Sequence, residues 1–325
     1  MNLPSDLHYA ICSEFNRQGI SYPGGAKLAG LASRLFEMLI RRIEPVPRQV
    51  DLSNEIHDSL GRLSRKMDEG ASEAWTTVFY LRNLFECGTT VLPHLSKGVG
   101  DTDPKNPDGL LWDYGMHHLH LGRSVKTDGF VERSDWLLFA IVAGQDVYFV
   151  DVRRHADPER LQWVRQDLLS IVHRNWPELT ESRLLRGVMG TEVTDTQKFE
   201  LRRKNVNVVH EIDGRAIAPL GYGTAADGHS VLCRFLADKL LHELEHQQQL
   251  LENSRDQLPE VFVNHGMPED SEMDFKLVCR SELNVSDEKC AEMWSVQGFS
   301  GDLWRIGFAI IETNTRSLIV LDTSH

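Results

Sequence analysis

The chain has 325 residues, 41% of them hydrophobic and 26% charged, with a formal net charge of −13, the balance of an ordinary globular protein. That charge excludes a protein that coats nucleic acid non-specifically, because such binding rests on many Lys/Arg–phosphate contacts, but it leaves room for one basic pocket on an acidic body. No apolar run approaches the ~20 residues needed to cross a bilayer, and Met1–Asp6 has neither the basic nor the apolar segment of a signal peptide, so a cytoplasmic protein without a membrane partner is expected.

The chain opens with helical periodicity. Leu28, Leu31, Ala32, Leu35, Phe36, Leu39 and Ile43 recur at three and four residues, the mark of an amphipathic helix, and Pro45 and Pro47 end it. Residues 1–96 are expected to form a helical region that offers a surface for self-association into a homo-oligomer. Residues 97–109 are rich in Gly, Pro and Asp and read as a linker, the first domain boundary.

The next stretch holds the densest histidine cluster of the chain, Met116-His117-His118-Leu119-His120. As a strand it puts His118 and His120 on one face and His117 and Leu119 on the other. Residues 136–142 and 147–152 are β-branched, aromatic and aliphatic runs joined through Gly144-Gln145. They predict a hairpin covered on both faces. Asp157-Pro158 predicts a helix start, and Leu161, Val164, Leu168, Ile171 and Val172 its apolar stripe, so residues 110–186 read as a central domain.

A C-terminal α+β domain, 197–325, is expected to follow. In it Asp213-Gly214 marks a hairpin turn between residues 206–212 and 215–220. The glycine-rich loop 221–228 reads as a structural turn before a long helix from Ser230 to Asn253. A strand at 275–279, a helix at 286–296 and a terminal hairpin complete the chain. The fold class is therefore α/β in composition, α+β in arrangement, with a mostly antiparallel central sheet. The five cysteines (Cys12, Cys87, Cys233, Cys279 and Cys290) are widely spaced and form no C-x-x-C pair, so reduced thiols are expected.

Two constellations carry candidate chemistry. His242-Glu243-Leu244-Glu245-His246 spells H-E-x-x-H, which in zinc proteases supplies two ligands and a base. At ~100° per residue, however, His242 and His246 fall opposite the apolar arc of Leu236, Leu240, Leu244 and Leu251. No glycine turn toward a third histidine follows. A zinc site there stays the alternative, and no cofactor is the favoured reading.

The second constellation is His118, His120 and His155 with Arg123, Arg133, Arg153 and Arg154. Histidine titrates near neutrality and can serve as acid or base; arginine suits a developing phosphorane charge. Residues 133–157, with Arg133, the apolar run 136–142, Val147-Tyr-Phe-Val-Asp-Val and Arg153-Arg154-His155, resemble the central strands of RelE/HigB-type bacterial ribonuclease toxins. The resemblance implies an endoribonuclease of toxin or phage-defence type acting on RNA. His118, His120 and His155 are then the candidate catalytic residues, and the four arginines the candidate phosphate contacts. A zinc-dependent hydrolase and a non-enzymatic sensor or scaffold are the rival readings.

Overall fold

A computed structural model describes residues 2–65, 69–101, 103, 105–155, 161–190, 192–253, 274–279, 308–312 and 318–319. In chain order the elements are α1 (Leu3–Arg17), α2 (Leu28–Arg42), β1 (Gln49–Leu52), α3 (Asn54–Arg65), α4 (Glu69–Glu86), α5 (Gly109–Tyr114), β2 (Met116–His120), β3 (Trp136–Ala143) and β4 (Asp146–Arg154). They continue with α6 (Gln166–Asn175), α7 (Pro177–Glu181), β5 (Leu184–Met189), α8 (Asp195–Arg202), β6 (His210–Ile212), β7 (Arg215–Ile217), α9 (Val231–Asn253), β8 (Phe275–Cys279), β9 (Phe308–Glu312) and β10 (Leu318–Ile319). The α+β class expected from the sequence is what the chain adopts.

Two compact units make up the chain: Glu37–Cys233, and Met1–Phe36 together with Arg234–His325. Both boundaries read from the sequence, at 97–109 and 187–196, fall inside the first of these. The reason is β1. The N-terminal region was expected to be helical throughout, yet Val50 pairs parallel with Val147 of β4, which draws α3 and α4 into the same core as the central sheet.

That sheet has the order β1-β4-β3-β2, with β3 antiparallel to both neighbours. Its strands are apolar on both faces because both are covered. Ile56, Leu60, Val78, Leu81 and Phe85 of α3 and α4 pack with Leu119, Leu138, Ala140, Val147 and Phe149 on one side. Leu168, Leu169 and Val172 of α6 pack with Met116, Leu137, Phe139, Ile141 and Val150 on the other. Phe139 pairs Asp151 while Ala140 pairs Phe149, so Val150 is the extra residue of a bulge. The bulge shifts the alternation of β4, so that Val152 joins Val147 and Phe149 in the α3–α4 core.

A smaller sheet, β5-β7-β6, contains the expected hairpin: Ile212 pairs Arg215, and Asp213 (φ 51°) and Gly214 (φ 76°) take the left-handed conformations of a tight turn. In the other unit β10-β9-β8 form a sheet, and the Leu277 backbone N–H donates to Asp6 of α1 at 3.2 Å. The helix expected at 286–296 lies outside the described residues.

The helix expected from Asp157 begins instead at Gln166; Asp157 itself lies outside the described residues. Asp195 at the start of α8 accepts from the Gln166 backbone N–H at 3.0 Å, so the N-terminal donor is satisfied by a tertiary partner where a local cap was expected. Residues 161–165 are thereby left as a turn, with consequences for the site.

Candidate functional site

Strand β2 has edge position in its sheet, and its alternation delivers His118 and His120 to the α6 side. At the far end of β4 the His155 backbone N–H donates to the Asp135 carbonyl at 2.7 Å. This extends the ladder by one rung and fixes His155 beside the same end of the sheet. The His118 and His120 ring centroids lie 5.8 Å apart, and His120 and His155 stack at 5.8 Å. All three predicted histidines are therefore brought together.

Trp163 joins them. Its ring centroid is 4.7 Å from that of His118 and 6.0 Å from that of His155, and its backbone carbonyl accepts from Arg202. The sequence offered no sign of this, because residues 161–165 read there as part of a helix. A fourth histidine, His94, sits behind: its Nδ1–H donates to the His120 carbonyl at 2.9 Å, which sets its tautomer.

Burial governs the protonation of the cluster. His118 is held below its ordinary value of 6.5 by burial, with the charges of His155 and Arg133 adding and Asp108 opposing. His120 is lowered to about 3, first by burial and then by His118, His155 and Arg133. Its Nδ1 is buried with no hydrogen-bond partner among the described residues. At neutral pH both imidazoles are uncharged, so each nitrogen without a proton can accept one.

The four candidate arginines divide. Arg133 is exposed and close enough to depress both His118 and His120. Arg123 lies 5.4 Å over the Tyr80 ring, and its charge bears on His94. Arg154 lies 5.2 Å over Trp136. Arg153 corrects the expectation: it is half-buried between Asp151 and Asp167, at 2.9 Å from each, and Ser59 donates to the same Asp151. A guanidinium occupied by two carboxylates is a structural tie and not a free phosphate contact.

His118 and Trp163 form part of the wall of a cleft of about 700 Å³, whose other residues include Arg41, Lys105, Arg202 and Arg203 against Asp101 and Asp108. The Gly/Pro/Asp-rich stretch read as an interdomain linker supplies one side of it. This basic cleft on an acidic chain had no sequence signature, because its cations come from three separate segments.

Beneath it lies a buried charge cluster. His210, fully buried, donates from Nε2 to Asp113 at 2.6 Å, and Arg202 donates to the same carboxylate from Nε at 2.8 Å. Burial alone would raise Asp113, but His210 and Arg202 outweigh it and hold the carboxyl below the usual range. Removing one member of a buried pair leaves its partners uncompensated. Asp113→Ala is therefore expected to cost about 3–5 kcal/mol, read as a lower urea midpoint of unfolding.

The rival motif takes the position its helical wheel implied. On α9, Ala237, Leu240, Leu244 and Leu251 are buried, while His242 and His246 are exposed. Among the described residues no group of three or more His, Cys, Asp or Glu side chains is arranged to hold a metal ion, and no helix is long and apolar enough to cross a membrane. No protein-family model, curated protein or solved structure matches the chain.

Proposed function

We propose that the protein is an endoribonuclease that cleaves RNA by histidine acid/base chemistry at the His118–His120–His155 cluster. The observation that carries this reading is the convergence of three histidines and Trp163, of which His118 and Trp163 line the cleft. Neutral His118 faces the cleft and takes the proton of a ribose 2′-hydroxyl. The 2′-oxygen attacks the adjacent phosphorus, and the P–O5′ bond breaks. His155 gives its proton to the leaving 5′-oxygen, so the products are a 2′,3′-cyclic phosphate and a 5′-hydroxyl. Arg133 stabilises the charge on the pentacoordinate phosphate. His120, in ring contact with both neighbours, positions them. Lys105 and Arg203 of the cleft hold the RNA backbone, and Trp163 offers a face on which a base stacks.

The test is incubation of the purified chain with end-labelled single-stranded RNA and the matching DNA in EDTA. Cleavage of RNA alone, leaving cyclic-phosphate ends, is the expected result. Cutting of the DNA, which has no 2′-hydroxyl, or abolition by EDTA would direct attention to metal-dependent hydrolysis. No cleavage of any RNA, with a stable partner complex in its place, would favour a scaffold. Trp163→Ala is expected to weaken RNA binding by about 1–3 kcal/mol, the usual value of one stacked base, measured by fluorescence anisotropy. Unchanged affinity would remove the stacking role.

A further inference from the structure

A second cavity, of about 300 Å³, opens elsewhere in the same unit, between the turn end of β3 and the loop that precedes α9. Its floor is apolar, with Ile141, Val142, Leu179 and Leu220 among its residues. The polar groups around it are unusual for a chain of net charge −13: among the described residues that line it none is Asp or Glu. The Trp112 indole N–H is buried with no hydrogen-bond partner among the described residues. His117, 8% exposed, makes no hydrogen bond to a described residue, and burial keeps it neutral, with its pKa lowered to about 4. Arg183 gives Nε and Nη2 to the Pro219 carbonyl, and no carboxylate among the described residues pairs with it.

The rim is built at a cost. Tyr222 is 46% exposed and adopts φ 71°, a left-handed conformation that disfavours a bulky residue by roughly 1–2 kcal/mol. Its flanking glycines hold it there. A Cβ on Gly221 would collide with the Leu111 carbonyl, and Gly223 donates from its N–H to the Trp112 carbonyl at 2.6 Å. The result is a Tyr222 ring 3.9 Å from the Arg183 guanidinium, at the mouth of the cavity. Strain of this kind persists where the surroundings enforce it, and it clusters at ligand clamps.

We propose that this cavity binds a small aromatic carboxylic acid, its ring against the apolar floor and its carboxylate at the Arg183 guanidinium, which no described carboxylate neutralises. Trp112, Tyr114, His117 and Tyr222 are among its lining residues, and the absence of acids among the described lining residues removes the repulsion that a carboxylate would otherwise meet. The site includes His117, which also lines the cleft, but none of His118, His120 or His155, and it does not depend on the nuclease reading.

Titration calorimetry of the full chain with 2-naphthoate, and with 2-naphthylmethanol as its uncharged counterpart, tests the proposal. One naphthoate per chain is expected, with the alcohol weaker by about tenfold or more, the value of a charge-assisted hydrogen bond. Arg183→Gln should weaken naphthoate to a similar degree, and Ala143→Trp, which fills the cavity, should abolish binding. Should Ala143→Trp lose its circular dichroism spectrum, Arg183→Gln at the rim decides alone. No binding at millimolar naphthoate, equal binding of the alcohol, or wild-type affinity in Arg183→Gln overturns the proposal.

Discussion

His118→Ala is expected to slow RNA cleavage by about 10²- to 10⁴-fold, the usual contribution of one general acid or base, while leaving RNA affinity near that of the parent. The side chain lies at the cleft wall beside Trp163 and carries no structural hydrogen bond to a described residue, so its loss removes the base and little else. His155→Ala should fall in the same range. The double variant should be less impaired than the product of the two, because an acid and a base that act in one transition state are not independent. A pH profile separates chemistry from packing. Burial holds His118 below 6.5, so the acidic limb of the rate should fall below that value and vanish in His118→Ala. Parent-like cleavage by both single variants would end the assignment.

The second large effect concerns acid. His117, 8% exposed, is lowered by burial from 6.5 to about 4, and His120 to about 3. Between pH 6.5 and 4 the unfolded chain binds these protons and the folded chain does not. Stability is therefore complete above about pH 6.5 and is lost as pH falls toward 4, by roughly 3 kcal/mol for His117 alone at about 1.4 kcal/mol per pKa unit. A loss of that size is a large fraction of a typical folding free energy of about 5–15 kcal/mol.

Of the carboxylates, Asp6 is raised by burial and works in the opposite sense, gaining stability as pH falls, a contribution that cancels when the parent is compared with His117→Gln. Glu55 and Asp113 are held below their ordinary values of 4.5 and 3.8, so what they contribute is lost only as pH falls through and below those values. Urea midpoints measured from pH 7.5 to 5 isolate the histidines. The parent should lose stability across that range, and His117→Gln should give a shallower slope whatever its absolute stability. A flat parent profile would show that the buried histidines exchange protons freely in the folded state.

Local pattern carried much of the architecture. Alternation in residues 116–120 placed His118 and His120 on one face, because the side chains of a strand alternate whatever it packs against. The two apolar runs after it predicted the β3–β4 hairpin and its double coverage, and Asp213-Gly214 the β6–β7 turn. The helical wheel of α9 turned His242 and His246 outward, as they stand, since amphipathicity is a property of spacing alone. The terminal hairpin is seen in the pairing of Ile311 with Leu318.

What the sequence could not carry depended on partners distant along the chain. Strand β1 is only four residues long and takes its identity from parallel pairing with β4, nearly 100 positions on, so a helical N-terminal domain was expected where none stands apart. The start of α6 was decided by Asp195 reaching back to the Gln166 backbone, which left Trp163 in a turn against His118. Arg153 seemed a phosphate ligand until Asp151 and Asp167 enclosed it, and His94 reached the cluster only through the His120 carbonyl. Side-chain periodicity is written into consecutive residues, and the sequence by itself determined β2, the β3–β4 and β6–β7 hairpins and the histidine face. The cleft, its cations and the neutral state of its histidines come from burial and charge contributed by separate segments, and only tertiary structure decided those.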